Sequence, residues 1–424
     1  MFTDRERNEA KKIRIIQGYL NQSPIDIDGL KQCSVSEFGF VNAALRRRIW
    51  PLLLNIDTKN LIQHRQKIID HPETDQVLKD VERSMWRFTK GKSQLRNRKK
   101  PELMNIVNAI LSIHKELHYF QGYHEIGSVL LLVTDESLAF AMLERLSLYH
   151  FRDCMYPTFA SVLNILHLLF PLIQQINTQL YNFIIQSQVQ PLFAISWVLT
   201  WFSHNLEELE YASRVYDFFL SSHPLASLYF SAVVIDYLKD GLLDLECSYD
   251  TVHAYFTHLP ENLPLDHLIK QTNDLLLKIP PNKLQSKSKI HLGEESPMNR
   301  YPYDWMKKQI INSKLTTSKK YQSEQYRNNA DKKRSYSTAN QIYKYTFFVV
   351  FGSISLLSVF VYLSIRSPST TAHLQFLINQ YLPNNIISNF IQQYSSNSSS
   401  SSSQSIANVI VNQTTSLINS NSTN

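Results

Sequence analysis

Glycine is scarce in this sequence, with nine in 424 residues. Folds made of many tight hairpins need glycine at their turns, so long helices with short connections fit better. Cysteine is scarcer still. Cys33, Cys154 and Cys247 are widely separated and no CxxC pair exists, which excludes a disulfide framework and reads as small buried free thiols in a reducing compartment. The opening MFTDRERNEAKKIRIIQ is charged throughout and lacks an apolar stretch of signal-peptide length, so nothing in it directs early secretion. His124-Glu125 is not a zinc motif, because Ser128 stands where the second histidine is needed. His114, His118, His124 and His150 show no ligand spacing and read as core or surface residues. Gly91-Lys92-Ser93 invites a phosphate-loop reading, but that loop needs glycine at the position of Trp86. No nucleic-acid motif accompanies the positive charge. The expectation is therefore a chain with no cofactor, metal or nucleic acid of its own.

What is present is apolar and helical in texture. Apolar residues make up 43% of the chain, enough for a large core plus appendages. In ELMNIVNAILSIHKEL, Leu103, Ile106, Val107, Ile110 and Leu111 recur at helical spacing and fall on one stripe. SVLNILHLLFPLI and PLFAISWVLTWF are apolar on nearly all sides and predict buried helices too short to span a bilayer. Residues 1–285 read as one globular unit. The net charge of +7 gathers largely in Lys90–Lys100, which reads as a solvated loop or a contact for an anionic partner, and in Lys283–Lys344. From the Ile279-Pro280-Pro281 turn the texture becomes Lys-, Ser-, Asn- and Gln-rich, predicting a flexible basic linker over 286–344.

Residues 345–365, YTFFVVFGSISLLSVFVYLSI, carry no charge. As a helix they would be about 32 Å long, enough for a hydrocarbon core of about 30 Å. A buried core helix is the rival reading, disfavoured by the polar stretch before it. Lys332, Lys333, Arg334 and Lys344 precede the run, and Arg366 is the only Lys or Arg after it. The positive-inside rule then places residues 1–344 in the cytosol and the Ser/Asn-rich 366–424 in the lumen. Sequons at Asn397, Asn412 and Asn421 agree with that orientation. The stretch 374–391 is amphipathic, either a luminal surface helix or a weakly structured tail.

Two segments could carry chemistry. In VLKDVERSMWRF, Val77, Val81, Met85 and Phe88 form a core-facing stripe if the segment is one helix. Arg83 then projects outward, with Asp80 one turn earlier and close enough to hold it. By periodicity alone such an arginine is an ordinary solvated residue. In HYFQGYHEI, Gln121 sits before Gly122, which permits close backbone approach or an unusual turn; alone it is an ordinary loop.

Together, Val77-x-x-Asp80-x-x-Arg83 and Tyr119-x-Gln121-Gly122 resemble the paired signature of the TBC-domain Rab GTPase-activating proteins. Leu45-Arg46 and Ile49-Trp50 resemble the entry motif of that family. Trp201-Phe202 and Arg214-Val215-Tyr216-Asp217 resemble its later helices, with Tyr216 where tryptophan is usual. The likeness covers nearly all of residues 10–285. It implies an all-α, multi-helix TBC domain of two helical subdomains. It implies that Arg83 is an arginine finger and Gln121 an in-trans glutamine that orients the attacking water, with Asp80 positioning Arg83 and with Tyr119 and Gly122 shaping the loop. GTP and Mg²⁺ would be carried by the partner, a Rab small GTPase. The family branch most like this chain has a C-terminal membrane span and resides in the endoplasmic reticulum, which implies a Rab of traffic between endoplasmic reticulum and Golgi. The stretch after the span is longer here than in that branch. The alternative is a membrane-anchored scaffold that binds a Rab without accelerating it.

Overall fold

Helix starts are written into the sequence as side-chain oxygens that accept the first free backbone N–H groups. Thr3 accepts from the Glu6 N–H while the Glu6 carboxylate reaches back to Thr3, a full capping box. Asp26, Asn42, Asp135, Asn177 and Ser248 each accept from the N–H three residues on. The computed structural model describes residues 3–61 and 71–302, and all regular structure within them is helical. The chain begins with α1 (Asp4–Leu20), α2 (Ile27–Val35), α3 (Ala43–Leu53), α4 (Thr74–Glu82), α5 (Ser93–Ile113) and α6 (Tyr123–Val133). It continues through α7 (Glu136–Leu148), α8 (Ala160–His167), α9 (Leu169–Ile176), α10 (Thr178–Gln186), α11 (Ile195–Leu199) and α12 (Leu209–Phe219). It closes with α13 (Ala226–Tyr237), α14 (Lys239–Leu243), α15 (Tyr249–Thr257), α16 (Leu265–Lys278) and α17 (Pro281–Ser288).

The helices form two groups within one compact unit. In the first, α4 to α7 pack on one another; in the second, α9, α10, α13 and α16 do so. Between them, α12 touches α2, α6 and α16. The expected stripe of α5 is buried, with Leu103, Ile106, Val107, Ile110 and Leu111 at most 3% exposed. Each such side chain contributes about 1.5–3 kcal/mol on burial.

A buried ion pair ties the start of this unit to its middle. The Arg46 Nε–H donates to Asp217 Oδ1 at 3.1 Å, and the Trp50 indole N–H reaches the same oxygen at 2.8 Å. The Phe40 N–H donates to Asp217 Oδ2 at 3.0 Å. Burial pushes the Asp217 carboxyl up, while Arg46 and Arg214 pull against it. Every neighbour aimed at it is a donor, which only the ionised form satisfies. Arg214 bonds the carbonyls of Ser34 and Ser36 and the Asp266 carboxylate. Gly39, at φ +52°, permits this closeness: a Cβ there would lie 2.6 Å from Asp217 Oδ2.

Four sequence expectations change. The segment 77–88 is not one helix: α4 ends at Glu82, Arg83 caps it, and Met85 turns left-handed at φ +64°. The apolar 161–173 divides into α8 and α9 at Leu168. The apolar 191–202 yields a 3₁₀ turn and only five residues of α11, because Trp201 and Phe202 adopt φ +50° and +63°. Most of the basic run 90–100 is the beginning of α5, where Arg96 is buried.

The expected linker also starts late. Leu284, Leu292 and Met298 are buried, Ser296 Oγ donates to Asp153 at 2.5 Å, and the His223 ring meets the Met298 carbonyl at 3.1 Å. Residues 286–302 thus belong to the folded unit, because a few apolar side chains within a polar stretch find buried seats. Among the described residues no helix is long and apolar enough to cross a membrane. The span at 345–365, the linker beyond 302 and the tail 366–424 lie outside the described residues.

Candidate active site

The site grows from α4. Glu73, Gln76, Asp80 and Arg83 follow one another at spacings of three, four and three, so they share a face beside the buried Val77 and Val81. Asp80 is fully buried yet ringed by donors. Its Oδ1 accepts from Arg83 Nη2 at 2.5 Å and from the Gln76 amide at 3.1 Å; its Oδ2 accepts from the Tyr119 hydroxyl at 2.8 Å. Arg83 keeps 60% of its side chain in solvent. Solvent screens the pair on the Arg83 side, so its stabilisation is modest for a carboxylate this buried. Its effect is to hold a flexible guanidinium in one place before any partner arrives.

The second segment is fastened to the same helix at two points. Glu73 accepts from the Tyr119 N–H at 3.1 Å and meets the His118 ring at 3.3 Å. Asp80 takes the Tyr119 hydroxyl. The loop carrying Gln121 and the arginine at the end of α4 therefore share one carboxylate. Gln121 is half-buried and has no hydrogen-bond partner among the described residues. Gly122 opens α6 at φ +104°, and a Cβ there would stand 2.7 Å from Thr200 Cγ2. Both its backbone angle and its surroundings require glycine.

His124 and Glu125, dismissed above as metal ligands, extend the network. The Tyr119 hydroxyl has one hydrogen, given to Asp80, so the His124 Nδ1 2.8 Å away must carry the hydrogen between them. Burial lowers the His124 pKa against the pull of Glu125 and Asp80, which fits a neutral ring protonated at Nδ1. Burial alone would raise Glu125; the hydrogen bond from His204, with His124 and Arg87 nearby, outweighs it and lowers the carboxyl. Burial and the Asp80 charge push the Tyr119 phenol well above its ordinary range, so it stays protonated. Arg87 meets the His204 ring at 3.3 Å and Lys90 pairs with Glu207 at 2.8 Å, tying the loop after Arg83 to the segment after α11.

All five expected residues thus fall in one neighbourhood: Asp80, Arg83 and Tyr119 in direct contact, Gln121 and Gly122 on the loop that Tyr119 fastens. Glu73, Gln76, His124, Glu125 and His204 were missed. The first two were legible as a polar stripe on α4. The others become neighbours only through tertiary packing. Chemically the arrangement presents one pre-held cation with a free fork of donors, beside an uncommitted amide, and suits insertion into an anionic pocket.

The Rab-GTPase-TBC domain family, RabGAP-TBC, matches residues 43–243, which contain this whole arrangement. TBC1 domain family member 20 of Bos taurus is 38% identical over 284 residues, 66% of this chain and 70% of that protein. The chain belongs to the RabGAP-TBC family. The Homo sapiens protein of the same name shows the same identity and coverage. GTPase-activating protein gyp10 of Schizosaccharomyces pombe is 29% identical over 265 residues, 61% of this chain and 71% of that protein. Among solved structures, the Ypt/Rab-GAP domain of Gyp1p shares the fold, with a TM-score of 0.50 at 15% identity over 64% of this chain and 98% of that one. The TBC domain described here continues past the matched residues, since α15 to α17 and the segment to residue 302 close its core.

Proposed function

We propose that this TBC domain accelerates GTP hydrolysis on a Rab GTPase of the early secretory pathway by lending it Arg83 and Gln121. The observation that carries the reading is the single buried Asp80 carboxylate, which holds the exposed Arg83 on one oxygen and the Tyr119 of the glutamine loop on the other. Phosphoryl transfer spreads negative charge over the departing group, and an inserted guanidinium offsets it with fixed charge and directed donors. An arginine of this kind contributes about 10³–10⁵ in rate, or roughly 4–7 kcal/mol of barrier. Gln121, with no hydrogen-bond partner among the described residues, is available to orient the attacking water. GTP and Mg²⁺ belong to the partner.

The test is single-turnover GTP hydrolysis by a panel of GTP-loaded Rab GTPases, with the full chain added in detergent. Acceleration should appear for at least one Rab, collapse in Arg83→Ala, remain low in Arg83→Lys because ammonium lacks the fork, and fall strongly in Gln121→Ala. Binding without acceleration of any Rab would instead make the domain a scaffold, and an unchanged acceleration in a folded Arg83→Ala variant would overturn the finger role.

The reading includes a membrane anchor at 345–365, with the TBC domain in the cytosol on the endoplasmic reticulum. It is supported by an uncharged run of spanning length, the basic flank before it, and the likeness noted above. Glycosylation mapping tests the topology. A glycan at Asn412 or Asn421 is expected; an unmodified tail open to cytosolic protease overturns the orientation.

A further inference from the structure

Beside Arg83 lies a feature that the finger chemistry does not use. Trp86 is 56% exposed, the one tryptophan at the surface among the described residues. It is nevertheless held. The Arg96 guanidinium lies 3.5 Å from its ring centroid, and the Lys100 ammonium 5.8 Å away. Arg96 is itself buried and donates to the Thr89 carbonyl and hydroxyl, both at 3.2 Å. Thr89 in turn donates to the Met85 carbonyl from its hydroxyl at 2.6 Å and its N–H at 3.0 Å. Met85 is buried in a left-handed turn. Arg96, Thr89 and Met85 beneath Trp86 are thus committed inward, while the indole faces water.

We propose that Trp86 is the principal docking side chain for the GTPase that receives Arg83, seating on an apolar patch of that partner edged with carboxylates. The proposal rests on the functional reading above. Trp86 lies three positions after Arg83, so their Cα atoms are at most about 11 Å apart. One side of a standard protein interface covers about 800 Å², a disc of roughly 16 Å radius. A partner centred on Arg83 therefore covers Trp86 as well. Rigid aromatic side chains lose little freedom on docking and dominate interface energetics. Charge completes the description of the partner surface. Arg96 and Lys100 lie over the indole, Arg87, Lys90 and Lys92 follow it in the chain, and the acids Glu82 and Glu207 are already paired with Lys100 and Lys90. The free balance is positive, which fits a rim of carboxylates.

The experiment uses the full chain and the Rab GTPase most accelerated in the panel. Single-turnover hydrolysis is followed over a range of activator concentrations, which separates the half-saturating concentration from the plateau rate. Trp86→Ala should raise the half-saturating concentration about 10–100-fold and lower the plateau far less than Arg83→Ala does. Trp86→Phe should recover part of the affinity, and Arg96→Gln, which frees the indole, should weaken binding in wild type but add little in Trp86→Ala. Circular dichroism confirms that each variant is folded; if Trp86→Ala is not, Trp86→Phe and Arg96→Gln carry the test. An unchanged half-saturating concentration alongside a lost plateau in Arg83→Ala refutes the docking role and leaves the finger intact. An equal plateau in Arg83→Ala and wild type refutes the functional reading itself. A plateau loss in Trp86→Ala with unaltered half-saturation also overturns the proposal, since the indole would then act on the chemistry.

Discussion

Replacing Gly122 by alanine tests the loop that carries Gln121, and the structure says where the cost arises. An alanine at φ +104° is strained by about 1–3 kcal/mol. Its Cβ would also stand 2.7 Å from Thr200 Cγ2, where ordinary contacts begin near 3.4 Å. Forcing that overlap adds about 1–3 kcal/mol. The two costs separate in a double-mutant cycle. Thr200→Ser deletes Cγ2 and keeps the hydroxyl, which donates to the Ser196 carbonyl at 2.6 Å and accepts from the His204 N–H at 3.2 Å. Alone it should cost about 1 kcal/mol for a buried methyl. Combined with Gly122→Ala it should recover the overlap but not the backbone strain. The expected coupling is therefore at least about 1 kcal/mol in the stabilising direction. Urea unfolding of the four proteins measures it, and the GTPase assay should show Gly122→Ala impaired and the double variant partly restored. Strict additivity in urea would mean that the Cβ never meets Thr200, and the account of this turn would be wrong.

Three further outcomes follow from the geometry. Tyr119→Phe removes the hydroxyl between Asp80 and His124, and one charge-assisted hydrogen bond of about 1.5–3 kcal/mol should appear as a plateau rate down roughly 10–100-fold with half-saturation little changed. Arg46→Ala leaves the Asp217 carboxylate buried without its main partner and should cost about 3–5 kcal/mol in urea; a loss below about 1 kcal/mol would contradict the pairing. Burial holds the imidazoles of His150 at about 3 and His223 at about 4. The unfolded chain then binds more protons than the folded one between about pH 4 and 6.5, so stability is full above that window and falls as pH drops through 6.5. From pH 7 to pH 5 the loss should be about 2 kcal/mol per histidine, and a urea midpoint flat over that range would refute their burial.

Much of this was open to reading in the chain. The α5 stripe is set by spacing alone, and Gly122 announced an unusual backbone. Arg83 was placed outward correctly but for an incomplete reason: it caps a helix that stops at Glu82, since Met85 reverses the chain, a preference that helical periodicity cannot register. Glu73 and Gln76 form a polar stripe on α4 as regular as the apolar one, but spacing alone does not show what it meets. The role of His124 as donor to Tyr119 depends on a hydroxyl already committed to Asp80, which no local pattern reveals. Arg46 and Asp217 are 171 positions apart, and no local pattern pairs them. The sequence marks Trp86 only by excluding a phosphate loop, whereas the Arg96 guanidinium that stacks on it comes from α5. Leu292 and Met298 were hidden by the polar residues around them, because average composition masks a few well-seated anchors.

The seat of Tyr301 has a geometric consequence. Its ring lies against His150 and His223, at centroid distances of 6.5 and 5.1 Å, so the polypeptide leaves the domain from a fixed spot. If the run beginning at Tyr345 sits in a bilayer, positions 303–344 set the farthest the domain can stand from it. Fully extended, they reach roughly 150 Å. That reach bounds the volume in which Arg83 could meet a GTPase held on the same surface, so shortening or lengthening the stretch would tune their local concentration.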